Sequence, residues 1–220
     1  MRTKPYATAI AVFDEVELLD VTGPVSVLSS AGRQWNFQPF KIDLVASGVG
    51  PVTTRSALTL QATHEWASHT GAECLIIPGG YGARRAAEDE ALLAWLRRSA
   101  AQAEFVAAIG NGVWLLAKAG LLDQVQVAAS AELALEIAAF CPSAQPNSKD
   151  PVCSSGKILS ARASALGLDL GCEIVARSFG KKLASGLSAS LGIDWAGELS
   201  GIEIVTGSLL EPGQEKPRRV

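Results

Sequence analysis

Several things are scarce in this 220-residue chain. Basic residues are not in surplus: 19 Lys and Arg stand against 22 Asp and Glu, a formal net charge of -3. No basic footprint for nucleic acid is present, and no polybasic run would hold an anionic membrane surface. Histidine occurs only as His64 and His69, and the four cysteines, Cys74, Cys141, Cys153 and Cys172, form no C-x-x-C pair. A His/Cys metal site is therefore not expected, nor is a disulfide framework. Free thiols suit a cytoplasmic protein. No apolar run is long enough to span a bilayer. The N-terminal "MRTKPYATAIAVF" runs into "DEVELLD" without a small-residue cleavage site, so it reads as a first strand and not as a signal peptide.

Hydrophobic residues are plentiful, at 48%. Short apolar β-type runs alternate with helical patterns. Strands are expected over Ala7–Phe13, Phe40–Ser47, Glu73–Pro78, Glu104–Ile109, Gln124–Ser130 and Gly156–Ala163, with a hairpin over Pro51–Thr63. Helices are expected over Gly23–Arg33, Glu88–Ala103, Val113–Ala119 (Gly120 as its C-cap), Ala131–Cys141 and Leu166–Ser185. Pro24 is read as a first-turn residue of its helix. The order implies an α/β domain, residues 1–208, with a mostly parallel sheet covered by helices on both faces. Residues 209–220 form a polar, Pro-containing tail.

In such sheets ligands sit beyond the carboxyl ends of the strands. Three of those ends are unusual. In "IPGG", Gly79 and Gly80 either make a tight β-α turn or present N–H groups to an oxyanion or carboxylate. In "IGNGV", Gly110, Asn111 and Gly112 form a strand-to-helix corner that strains its central residue, which glycine relieves. In "LLDVTGP", Asp20 is either a solvated or capping carboxylate, or one aimed into the crevice. The histidines in "ATHEWASHT" read as solvated. Trp114 reads as core, whereas Trp35 and Trp66 suit either the crevice or a subunit contact.

Together these loops resemble the ThiJ/PfpI (DJ-one-like) superfamily, with its class I glutamine amidotransferase-like, flavodoxin-like three-layer α/β/α fold. The nearer resemblance is to the branch of isocyanide hydratases and amino-terminal sensor domains of AraC-type regulators. It covers roughly Ala7 to Leu187. It rests on "FDEVELLDVTGPVSVL", "CLIIPGGYGA", "AAIGNGVWLLAKAGLLD" and "ILSARASALGLDLGCEIVA", the last retaining Gly167 and Asp169.

The departures carry the functional reading. The family's nucleophilic cysteine falls on Gly110, its polar follower on Asn111, and its usual histidine on Ser130. The acidic partner is retained as Asp20. Arg162 falls where a small residue is usual, placed either to pair with Asp20, to bind an anionic ligand, or to take an ordinary surface partner. A thiolate mechanism has lost its nucleophile. Cys74, Cys153 and Cys172 lie away from the elbow and read as small buried hydrophobes.

The favoured expectation is a non-catalytic small-molecule-binding or sensor domain. Its ligand-binding residues are Asp20, Gly79, Gly80, Gly110, Asn111, Gly112, Ser130 and Arg162, with no cofactor and no metal. The resemblance implies a homodimer and a link to transcription regulation. No basic helical pair follows, so direct nucleic-acid binding by this chain is not expected. Two alternatives stand beside it. One is a cysteine-independent hydratase or lyase using Asp20 as general acid/base. The other is a scaffold subunit that uses its surface.

Overall fold

The computed structural model describes residues 4–32, 37–195 and 197. In chain order it builds β1 (Tyr6–Ala11), α1 (Leu18–Ser30), β2 (Phe40–Ala46), β3 (Gly50–Thr53), β4 (Thr59–Ala62), β5 (His64–Glu65) and β6 (Cys74–Ile77). There follow α2 (Ala83–Ala86), α3 (Glu90–Gln102), β7 (Phe105–Ile109), α4 (Gly112–Lys118), β8 (Gln126–Ala128) and α5 (Ala131–Phe140). The last elements are β9 (Gln145–Asn147), β10 (Val152–Ser155), β11 (Ile158–Ala161), a 3-10 turn (Ser164–Leu166), α6 (Gly167–Phe179) and α7 (Lys181–Leu191).

Seven strands form the central sheet in the order β10-β11-β7-β6-β1-β2-β5, parallel except for β10. β6 and β7 are buried at every residue, as their unbroken apolar runs require between two helical layers. Helices α1, α6 and α7 pack together on one face, and α2 to α5 associate on the other. The result is the three-layer, flavodoxin-like α/β/α arrangement.

Most expected elements are present, and the differences have physical causes. α1 begins five residues before Gly23. Glu17 is extended and precedes its first turn, so Pro24 lies inside the helix. A proline there has no N–H for the Asp20 carbonyl. Earlier in the same helix, the Thr22 hydroxyl donates to the Leu18 carbonyl at 2.9 Å. This earlier start places Asp20 in the first turn, where the helix dipole favours an acidic residue.

The strand expected over Gln124–Ser130 shortens to β8 and leaves the central sheet. It pairs with β9, which the sequence pattern did not disclose, in a separate two-stranded ribbon. The helix expected over Leu166–Ser185 breaks at Gly180, whose φ of +96° ends α6 and starts α7. The hairpin over Pro51–Thr63 forms as β3 and β4. Gly120 closes α4 in the left-handed conformation at φ +73°. Asp89 caps α3 by accepting the Ala91 N–H at 2.8 Å.

The histidines are not both solvated. His64 lies on the edge strand β5, but the His69 side chain is only 7% exposed. Its Nδ1 accepts from Trp95 Nε1 and from the Gly71 N–H, so the imidazole is tied to α3. Trp114 is half-buried rather than core, edge-on to Phe140 with Arg84 and Lys118 over its ring. Trp66 is buried beside a groove between the ends of β1 and β2. Arg33, Trp35 and the tail 209–220 lie outside the described residues.

Candidate functional site

Gly110 follows β7 with φ +55°, a conformation that an L side chain adopts only under strain. The strained strand-to-helix corner expected at this position is therefore present, and glycine relieves it. Among the described residues other than its chain neighbours, a Cβ built at this position meets a single atom within 4 Å, Asp20 Oδ2, at 3.6 Å. Gly112 answers a different need: a Cβ there would overlap the Ile77 carbonyl and stand 2.9 Å from that of Pro78. It lets α4 press onto the end of β6.

Asp20 forms the floor of this corner. It is 1% exposed. Oδ2 accepts the Gly79 N–H at 2.8 Å, while Oδ1 is buried without a hydrogen-bond partner among the described residues. Burial pushes the carboxyl above its ordinary value. The nearby Ser164 hydroxyl and the Gly79 N–H pull the other way, and the Glu17 charge adds slightly to the rise. Such a carboxyl is suited to holding a proton or meeting a ligand donor.

The Gly79, Gly80 and Gly110 amides are not open donors. Gly79 N–H is taken by Asp20, and Gly80 N–H donates to Asn111 Oδ1 at 2.7 Å. Asn111 Nδ2 returns a hydrogen bond to the Gly80 carbonyl at 2.9 Å. Gly110 N–H donates to the Ala161 carbonyl at 2.7 Å, extending the β7–β11 ladder. The amides expected to face an oxyanion at these three positions thus end on the protein's own atoms.

Outside this corner lies a cleft of about 210 Å³, lined by Gly110, Asn111, Ser130, Arg162, Arg84, Glu132, Leu133 and Glu136. It brings four expected site residues together. Asp20, Gly79, Gly80 and Gly112 do not line it; Asp20 adjoins it through Gly110, and Gly80 through its hydrogen bonds to Asn111. Ser130 is the N-cap of α5, its hydroxyl accepting the Leu133 N–H at 3.2 Å. Arg162 does not pair with Asp20. Its Nη1 donates to the Ser148 carbonyl at 2.7 Å, the ordinary-partner reading of this residue. Arg84 and Glu136 were missed: no motif marks them, and only folding joins them, Arg84 Nη2 donating to both Glu136 oxygens at 2.8 and 2.6 Å.

The cysteines stand away from the elbow. Cys74 on β6 and Cys172 in α6 are buried, and burial pushes each thiol up to about 12. Burial, with Asp150 nearby, raises Cys153 as well. Among the described residues, no group of three or more His, Cys, Asp or Glu side chains is placed to hold a metal ion. No described helix is long and apolar enough to cross a membrane.

The fold and corner define an α/β protein of nucleophile-elbow type whose elbow carries glycine. Residues 7–177 match the DJ-1/PfpI family, and the chain belongs to it. Among known proteins it is 34% identical to the isonitrile hydratase of Pseudomonas putida over 112 residues. That match spans 51% of this chain and 46% of the hydratase, less than half of the relative's length. A ThiJ/PfpI family protein from Pseudomonas syringae superposes with a TM-score of 0.78 at 24% identity, over 87% of this chain and 76% of that one. An AraC family transcriptional regulator from Pseudomonas putida superposes with a TM-score of 0.72 at 22% identity, over 85% of this chain and all of that one. Both structural likenesses speak to the fold.

Proposed function

We propose that this chain is a non-catalytic small-molecule-binding or sensor domain of the DJ-1/PfpI family. Its ligand enters the cleft between Ser130, Arg162 and Gly110 and reaches the Asp20 carboxyl beneath. The observation that carries this reading is the engagement of the Gly79 and Gly80 amides by Asp20 and Asn111. An acyl or hydration reaction needs free donors aimed at developing negative charge, and a nucleophile to generate it. Gly110 supplies no nucleophile, and these two donors are spent. The 210 Å³ cleft suits a ligand smaller than a drug-sized molecule. Its Arg84–Glu136 pair and the opposed charges of Arg162 and Glu132 favour a small, polar ligand of low net charge.

A second reading has one observation in its favour. Asp20 combines a raised proton affinity, an Oδ1 with no hydrogen-bond partner among the described residues, and an Oδ2 that is 3.6 Å from the empty Gly110 Cβ position. A carboxyl of this kind can move a proton to a small electrophile such as an isocyanide, and the likeness to an isonitrile hydratase points the same way.

The test is turnover of a panel of isocyanides and 2-oxoaldehydes, together with thermal-shift screening of small polar metabolites. Asp20→Asn serves as control in both. We expect no turnover, and a saturable rise in Tm from at least one panel compound that Asp20→Asn abolishes. Turnover that disappears in Asp20→Asn transfers the assignment to the hydratase reading. The homodimer implied by the resemblance is tested separately, by light scattering on the eluting protein.

A further inference from the structure

We propose that the Gly80 peptide edge is a recognition site for a primary carboxamide, filled in the resting chain by Asn111 and opened when a carboxamide ligand in the cleft displaces that side chain. The inference rests on the cleft reading above and adds the chemical class of the ligand.

Asn111 directly precedes α4, where an asparagine normally turns its oxygen onto the helix's first N–H groups. Here the side chain makes no capping bond. It turns instead to Gly80, where Oδ1 accepts the N–H at 2.7 Å and Nδ2 donates to the carbonyl at 2.9 Å. The reversed amide would set donor against donor and acceptor against acceptor, so the network admits one orientation.

The receiving edge is rigid. Gly80 holds φ +130°, and a Cβ there would overlap Glu15 O and stand 2.5 Å from Glu17 N. A β-bridge to Val16 fixes it from the other side. Its N–H and C=O therefore present a fixed donor–acceptor pair. A planar group with one acceptor and one adjacent N–H donor satisfies both. A carboxylate does not, because its second oxygen would face the Gly80 carbonyl without a proton.

Asn111 also lines the cleft and is only half-buried, so it stands between the cleft and the Gly80 edge. A second observation marks the space as one for a ligand. Asp20, whose Oδ2 accepts the neighbouring Gly79 N–H, is 1% exposed and its Oδ1 has no hydrogen-bond partner among the described residues, the Ser164 hydroxyl lying near the carboxyl. The intramolecular amide competes with any ligand at high effective concentration. The wild-type protein should therefore bind small amides weakly, and removal of the plug should tighten binding.

The probe is acetamide, with sodium acetate as control, titrated into full-length wild type and Asn111→Ala by thermal shift and by 15N NMR. We expect the Kd of acetamide to fall at least about tenfold in Asn111→Ala, the scale of one hydrogen bond regained. In wild type, the Gly80 N–H and Asn111 side-chain resonances should move together with acetamide and stay still with acetate. A folded Asn111→Ala with no gain in acetamide affinity overturns the proposal, as does an equal response to acetate. If that variant does not fold, the wild-type resonances decide: their failure to move with acetamide also overturns it. A panel compound that binds through Asp20 while acetamide leaves Gly80 still removes this inference and keeps the cleft reading. No binding by any compound removes both.

Discussion

Asp20 Oδ2 stands 3.6 Å from the point where a Gly110 Cβ would lie, and among the described residues beyond Ile109 and Asn111 no other atom comes within 4 Å of that point. The corner sets a left-handed glycine directly beside a buried carboxyl.

This relationship predicts a contrast among the corner glycines. Gly110→Ala should fold and lose about 1–2 kcal/mol, the cost of a Cβ in left-handed backbone, because the space is open. Gly112→Ala, whose Cβ would overlap the Ile77 carbonyl, should lose more than about 3 kcal/mol or fail to fold. Urea denaturation of both variants checks this. Equal losses would mean that the space over Gly110 is closed in solution.

Gly110→Cys should restore a thiol at the elbow. Wild-type Cys74 and Cys172, buried and held at about 12, should stay unmodified by iodoacetamide in the folded protein. The variant should gain one modified site, at position 110, read by peptide mass spectrometry. An unmodified position 110 in a folded variant would show that the cleft does not admit even a small electrophile.

Asp20 sets a pH dependence. Its carboxyl is raised by burial in the folded chain, so the folded state holds this proton more tightly than the unfolded state. The stabilisation is fully present below about pH 3.9 and is lost as pH rises through the higher folded value. The stability of wild type relative to Asp20→Asn should therefore fall with rising pH across that window, by no more than about 1.4 kcal/mol per pH unit. Denaturation series in urea measure it, and parallel curves would refute it.

His69 has the opposite sign. Burial lowers it first; His64 and Lys41 add to the lowering, and Asp43 opposes it. Protonation at Nδ1 would also break the bonds from Trp95 Nε1 and the Gly71 N–H. Stability from the neutral ring is present above about pH 6.5 and is lost as pH falls through the lowered folded value. Wild type should lose stability over that range relative to His69→Gln, with Trp95 fluorescence changing in step.

Ser130→Ala removes the α5 cap bond to the Leu133 N–H and should cost about 1 kcal/mol. If Ser130 serves only as a cap, ligand affinity in the cleft stays unchanged. A simultaneous loss of affinity places its hydroxyl on the ligand, and calorimetric titration of the panel compound separates the two.

The strands and the elbow were legible because buried parallel strands are written as unbroken apolar runs, as in β6 and β7, and because tight corners demand glycine. β8 was misplaced for the same reason. Its apolar residues read alike whether they face the central sheet or a two-stranded ribbon. The break at Gly180 was hidden because isolated glycines also occur inside helices, as Gly171 does in α6.

The sequence by itself determined the layered α/β class, the glycine-rich strand-to-helix corner at Gly110 and the acid Asp20 in its own loop, since these are local facts of pattern and identity. Only the tertiary structure decided where the glycine amides point, that Asn111 turns back to Gly80, that Arg162 serves a loop carbonyl rather than Asp20, and that Arg84 meets Glu136 across the cleft. Hydrogen-bond partners 31 residues apart, such as Gly80 and Asn111, are chosen by the packing of whole strands and helices, and no local pattern encodes that choice.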